Sequence, residues 1–155
     1  IEFTAKPDLT VRLGMLNCYE GIIPSFTRSL LKTNPHLLIN LTNDDWFAAT
    51  AERYLHFALA LPRAIESRRM YLRATLTGVS AIVDANGRIL DWTSTEEPET
   101  LLREIPLLEG KTVYSVVGDV LPMASLSLMI LGLWHRRQTP DEDMIETETS
   151  EPMSS

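Results

Sequence analysis

The sequence predicts an α/β fold, with a sheet that mixes parallel crossovers and an antiparallel hairpin and with helices covering one face. Two observations carry this. Strand-length apolar runs alternate with helix-length segments between residues 11 and 69. Further on, Asn86-Gly87 separates two strand-like runs, a strong signal for a two-residue hairpin loop. A third observation concerns the far end: Val120–Trp134 carries no charge, and Val116–Trp134 carries only Asp119.

The elements follow in order. Val11–Asn17 reads as a strand running into Cys18. Pro24 suits the first turn of a helix that stops at Asn34-Pro35. Leu37–Leu41 is a short apolar run, consistent with a buried strand. Asn43–Phe47 is a polar loop with aromatics. Thr50 is the expected N-cap of a long helix reaching about Arg69, kinked at Pro62. Tyr54, Ala58, Leu61 and Ile65 line its expected apolar face, and Arg53, His56, Arg63 and Ser67 gather opposite. Val79–Asp84 and Arg88–Trp92 form the hairpin strands. Thr93–Thr100 is a polar loop, and Leu101–Ile105 is expected to be another strand.

Composition sets outer bounds. The 155 residues favour one domain, and 45% hydrophobic with 23% charged residues suffices for a core. Disorder throughout, collagen and a disulfide-stapled miniprotein are excluded. A net charge of −7 disfavours nucleic acid, whose phosphates need a basic surface. One cysteine excludes an internal disulfide and a multi-cysteine metal site. The glycines are scattered, so there is no phosphate loop. His36, His56 and His135 lack metal-ligand spacing, and neither metal nor cofactor is expected. The chain starts at Ile1, which reads as processing or as a fragment of something longer.

The acidity is local. Of 21 acids, six lie between Asp141 and Ser155 without a base, leaving 15 against 14 bases elsewhere. Residues 136–155 therefore read as a disordered, solvated tail. Before it, the 19 residues Val116–Trp134 would span about 28 Å, close to the hydrocarbon thickness of a bilayer. His135-Arg136-Arg137 would form a cytoplasmic basic stop, with Trp134 at the interface. By length alone, a buried helix of a soluble protein fits equally well.

Cys18 ends a strand before a turn and a helix. There a nucleophile is held rigidly, and following backbone N–H groups can hold an oxyanion. A small buried hydrophobe is the alternative. Glu20 is placed either to accept a proton or as an exposed loop acid. Trp46 and Phe47 are loop anchors or pocket walls, and Asn43 is a turn residue or an amide donor. His56 reads as a surface histidine rather than as the partner in a Cys-His dyad.

Together these pieces resemble the nitrilase, or carbon–nitrogen hydrolase, superfamily. Gly14-Met15-Leu16-Asn17-Cys18-Tyr19-Glu20 resembles its nucleophile strand and elbow. Leu38–Phe47 resembles the apolipoprotein N-acyltransferase branch, as do Arg63–Arg69, Arg73–Ser80, Asp84–Ile89 and Tyr114–Asp119 with the apolar helix that follows. The resemblance covers roughly residues 10–136.

It implies part of an α-β-β-α sandwich over residues 1–115, one transmembrane helix over 116–135, and the tail 136–155. It implies a Glu-Lys-Cys triad with Cys18 as the cysteine, Glu20 as the glutamate required beside it, and the Tyr19 N–H at the oxyanion. Asn43 and Trp46 match positions lining the active site. Cys18 would take an acyl chain from phospholipid as a thioester and pass it to the amino group of a lipoprotein's diacylglyceryl-cysteine. The implied setting is the bacterial inner membrane, with the catalytic domain periplasmic and the tail cytoplasmic. A soluble amidase of the same superfamily and a catalytically dead tethered domain are the alternatives. Asp45 and Ala48 stand where glycines are usual, and Pro62 is unusual in its helix. The family's base glutamate and lysine lie well before its cysteine, and here 17 residues precede Cys18. The implied state is a C-terminal third, catalytically incomplete alone.

Overall fold

The computed structural model describes residues 2–6, 9–47, 50–93 and 97–138. Ala48 and the acidic tail from residue 139 onward lie outside the described residues. Among the described residues, six strands form one sheet in sequence order: β1 (Glu2–Lys6), β2 (Leu9–Asn17), β3 (Leu37–Thr42), β4 (Met70–Thr75), β5 (Ala81–Val83) and β6 (Ile89–Trp92). β2, β3 and β4 are parallel, while β1 and the β4–β5–β6 run pair antiparallel. This is the mixed sheet that the alternation of elements predicts. β1 is an addition, since its five residues offer too short an alternation to read.

Helices fill the crossovers: α1 (Pro24–Leu31) between β2 and β3, then α2 (Glu52–Ala60) and α3 (Pro62–Ser67) between β3 and β4. Successive strand residues face opposite sides, so β2 to β5 each feed two cores. Leu16, Leu38, Tyr71 and Val83 pack with Phe57, Ala60 and Ala64 on the helix side. Val11, Leu37, Met70 and Ile82 pack on the other side, beneath Leu101, Ile105 and Leu108.

Leu101–Ile105 is not a strand. Leu101 and Ile105 lie over the sheet's face, not along its edge, so no ladder of backbone bonds forms. The irregular segment is tied down by Arg103 Nη1 donating to Leu90 O at 2.9 Å and by Leu108 N–H donating to His36 O at 3.3 Å. Glu109 adds contacts with Arg12 at 2.6 Å and His36 at 2.8 Å.

The expected long helix is two helices. Thr50 is not its N-cap, because its hydroxyl donates backward to Phe47 O at 2.6 Å and Ala51 holds the cap position. Pro62 does not kink a continuous helix. It opens α3, where its missing N–H would have no helical acceptor anyway. The buried face is also the opposite of the expected one. His56, Phe57, Ala60, Arg63 and Ser67 are buried, while Tyr54 and Ile65 are 49% and 45% exposed.

The hairpin turns at Asn86-Gly87, but not by a two-residue loop. Gly87 N–H donates to Asp84 O at 3.0 Å and Asp84 N–H to Arg88 O at 2.9 Å, which makes a four-residue turn. Only Gly87 takes a positive φ, +83°, whereas the tight two-residue turn needs one at Asn86 as well. Asp84 Oδ1 accepts from the backbone of Asn86 and Arg88, and this favours the wider turn.

The first compact unit ends with α4 (Val113–Val117) and Gly118. Thr112 caps α4 by accepting from Ser115 N–H at 3.0 Å. Gly118 sits at φ +67°, ψ −139°, a region that excludes other residues, and it ends the helix. The expected continuous span from Val116 is therefore broken. A second unit, from Asp119, carries α5 (Val120–Gln138), 19 residues whose last turn holds His135, Arg136 and Arg137. Pro122 fits its first turn, where no N–H is required. Among the described residues, no helix is long and apolar enough to cross a membrane.

Candidate active site

β2 and β3 are parallel, so their carboxyl ends, Asn17 and Thr42, emerge at the same edge of the sheet. Ligand sites of open α/β sheets form at that edge. Here an open cleft of about 390 Å³ is lined by Asn17, Cys18, Leu41, Thr42, Asn43 and Trp46. Three of the sequence-predicted residues, Cys18, Asn43 and Trp46, thus converge.

Cys18 takes φ +48°, a left-handed conformation costly for a residue with a Cβ. It opens a 3-10 turn, Cys18–Gly21, that reverses the chain out of β2. The surroundings hold it there. Glu20 Oε2 accepts from the Asn17 N–H at 2.8 Å, closing the turn from below. Asn40 Nδ2 donates to the Cys18 carbonyl at 3.1 Å. The thiol is free and partly exposed.

Asn43 is a turn residue as well as a cleft residue. Its Oδ1 accepts from Asp45 N–H at 3.1 Å and Thr77 Oγ1 at 3.0 Å, so the amide nitrogen is the end these bonds leave over. Trp46 sits on a second 3-10 turn, Asp45–Phe47, and is 89% exposed. Asp45 is not among the residues of positive φ, so its side chain brings no backbone strain to this turn. Glu20 and Tyr19 do not line the cleft. Glu20 braces the elbow, and the Tyr19 ring lies 5.1 Å from the ring of His56.

Beneath the elbow is a buried polar network that the sequence reading missed: Asn40, Asp44, His56 and Arg73. Parallel pairing sets Asn40 of β3 directly beside Arg73 of β4. Arg73 Nη1 donates to Asn40 Oδ1 at 3.2 Å, and its Nη2 to Asp44 Oδ2 at 2.7 Å. His56 Nδ1 lies 2.8 Å from Asp44 Oδ1. A carboxylate only accepts, so this contact fixes the proton on Nδ1, and the 3.1 Å approach of Arg73 to that nitrogen is not a hydrogen bond. Thr42 Oγ1 donates to Asp44 Oδ1 at 3.3 Å, and the Asp44 N–H donates to Thr77 O at 3.3 Å.

His56 is therefore not a surface histidine. Its Nδ1 is paired with a carboxylate in the core, and the helix turns this face inward. Arg63 is likewise buried, donating to Glu66 Oε1 at 2.8 Å. Tyr71 is buried within the field of Arg73 and Arg63. Burial pushes its phenol up to about 12, against the pull of Arg73 and Arg63. The clue in the sequence was the pair of polar residues, Asn40 and Arg73, set inside two strands that are mostly apolar.

The profile described as carbon-nitrogen hydrolase matches residues 3–113. An apolipoprotein N-acyltransferase of Geobacter metallireducens is 35% identical over 130 residues, covering 83% of this chain and 25% of the relative. One from Bdellovibrio bacteriovorus is 50% identical over 84 residues, 54% of this chain and 15% of that protein. One from Haemophilus influenzae is 40% identical over 114 residues, 74% and 22% respectively. The chain spans a quarter or less of the length of these relatives. By the extent of the profile match, with the cysteine elbow at the carboxyl edge of the sheet, the chain belongs to the carbon–nitrogen hydrolase family, among the relatives of its apolipoprotein N-acyltransferases.

Proposed function

We propose that Cys18 is the nucleophile of an N-acyltransferase that moves an acyl chain from phospholipid to the N-terminal amino group of a diacylglyceryl-cysteine lipoprotein. The observation that carries this reading is the placement of Cys18, at a left-handed elbow and on one cleft with Asn43 and Trp46. The names of the curated relatives support the same chemistry.

In the first step the Cys18 thiolate attacks the ester carbonyl of the phospholipid. A tetrahedral oxyanion forms and collapses to a thioester, and the lysophospholipid leaves as an alcohol with a proton. In the second step the lipoprotein amine attacks the thioester, an amide forms, and the thiol is regenerated. The Tyr19 N–H is the donor for both oxyanions. It lies among the first amides of the 3-10 turn, which lack acceptors within that turn. Glu20 supports the nucleophile by closing the turn through Asn17. Leu41 and Trp46 give the cleft exposed apolar walls suited to an acyl chain, and Asn43 brings an amide to its polar end.

This reading puts the protein at the bacterial inner membrane, with the catalytic unit on the periplasmic side and the tail on the cytoplasmic side. The uncharged stretch Val120–Trp134 is then the part in contact with lipid, and His135-Arg136-Arg137 marks the cytoplasmic end.

The test is mass spectrometry of the Cys18 peptide after the full natural polypeptide has been incubated with phospholipid. An acyl mass on Cys18, lost in Cys18→Ala and discharged by a diacylglyceryl-peptide amine, is expected. A Cys18 peptide that never carries an acyl group overturns the proposal.

A further inference from the structure

The acyl-transfer reading leaves open what aims the oxyanion donor. We propose that Asn40 is a positioning residue that sets the direction of the Tyr19 N–H, and that Arg73 and Asp44 hold Asn40 in that role. The proposal rests on the acyl-transfer reading and adds to it a residue outside the cleft.

The geometry runs through one peptide bond. The unit joining Cys18 to Tyr19 is trans and planar, so its C=O and N–H point in opposite directions. The Cys18 carbonyl is held at 3.1 Å by Asn40 Nδ2, and Asn40 is fully buried. With the carbonyl drawn toward Asn40, the Tyr19 N–H is turned away from that side chain. Left to itself, a residue at φ +48° would relax, and the peptide would rotate with it.

Asn40 in turn has no freedom to flip. Guanidinium groups only donate, so the 3.2 Å contact from Arg73 Nη1 must fall on Oδ1, which leaves Nδ2 for the Cys18 carbonyl. Arg73 is locked by Asp44 at 2.7 Å, and Asp44 by His56 at 2.8 Å. Gly21 shows how closely Asn40 is fitted: a Cβ there would come within 2.6 Å of its Nδ2.

Two reactions of Cys18 separate aiming from simple folding. Alkylation by iodoacetamide is a displacement at carbon and develops no oxyanion. Acylation by a p-nitrophenyl ester passes through one. In the full natural polypeptide, Asn40→Asp keeps the acceptor for Arg73 but removes the donor to Cys18. We expect acylation of the variant to fall at least about tenfold, less than the roughly 10²–10³-fold seen when an oxyanion donor is removed outright, while alkylation stays within about twofold. If Asn40→Asp does not accumulate folded, Asn40→Ser is scored by the same ratio. Equal loss in both reactions, or no loss in either, overturns the role of Asn40. A wild-type protein that alkylates at Cys18 but forms no thioester overturns the acyl-transfer reading, and this inference with it.

Discussion

His56 Nδ1 lies 2.8 Å from a carboxylate oxygen of Asp44, and both side chains are buried, with Arg73 closing on the other carboxylate oxygen at 2.7 Å. One carboxylate thus serves a helix and a neighbouring strand at once. Asp44→Ala removes the partner of a buried guanidinium, a change that costs about 3–5 kcal/mol. Urea denaturation should show this loss. Asp44→Ala combined with Arg73→Met should recover part of it, because no unpaired charge then remains in the core.

Trp46→Ala should behave in the opposite way. At 89% exposure the indole contributes little to stability, so denaturation should shift by less than about 0.5 kcal/mol. As a wall of the cleft beside Cys18, it should matter to substrate. Kinetics with acyl donors of increasing chain length should show KM rising more for long chains than for short ones.

Gly21→Ala tests the packing behind the elbow. The added methyl would meet Asn40 Nδ2 at 2.6 Å and the Tyr71 hydroxyl at 2.8 Å, and both are buried. The expected cost is about 1–3 kcal/mol, with slower Cys18 acylation, measured by denaturation and by thioester formation on one preparation.

How much of this was legible in the sequence divides along a physical line. Cys18, Asn43 and Trp46 stand where strands end, and turn residues and exposed aromatics advertise such places. Asp44, His56 and Arg73 do not advertise themselves, because polar residues are read as solvent-facing. A buried charge becomes acceptable only when its partner is known, and these partners are 12 to 29 residues apart. The same blindness inverted the face of α2, where Tyr54 proved exposed and His56 buried. The segment 101–105 failed differently: its apolar residues have a sheet to cover rather than a ladder to join.

Tyr71 predicts a high-pH signature. Its phenol titrates at about 12 in the folded chain against an ordinary value of 10.0, chiefly because of burial. The folded state therefore holds a proton that the unfolded state releases, and stability is undiminished below pH 10 and falls between about 10 and 12. Absorbance at 295 nm should show one of the four tyrosines ionising late. Tyr71→Phe should remove the late step and flatten the stability loss.

Glu109 predicts a low-pH signature. Hydrogen bonds from His36 and then from Arg12 hold its carboxyl below the ordinary 4.5. Its contribution is present above that value and is lost as pH falls through its lowered titration range. Hydrogen exchange of residues 97–112 should quicken in acid, and Glu109→Gln should remove the part of that change due to this carboxyl.

The strand order carries a consequence for how the chain comes together. Every strand pairs with its neighbour in sequence, so each one leaving the ribosome meets an edge already made. The elbow at Cys18 is synthesised before the residues that secure it. Its lock on Asn40 closes 22 residues downstream, and the brace from Arg73 arrives 33 residues after that. During synthesis the nucleophile therefore exists before the geometry that makes it useful, and reactivity is the last property of this edge to mature.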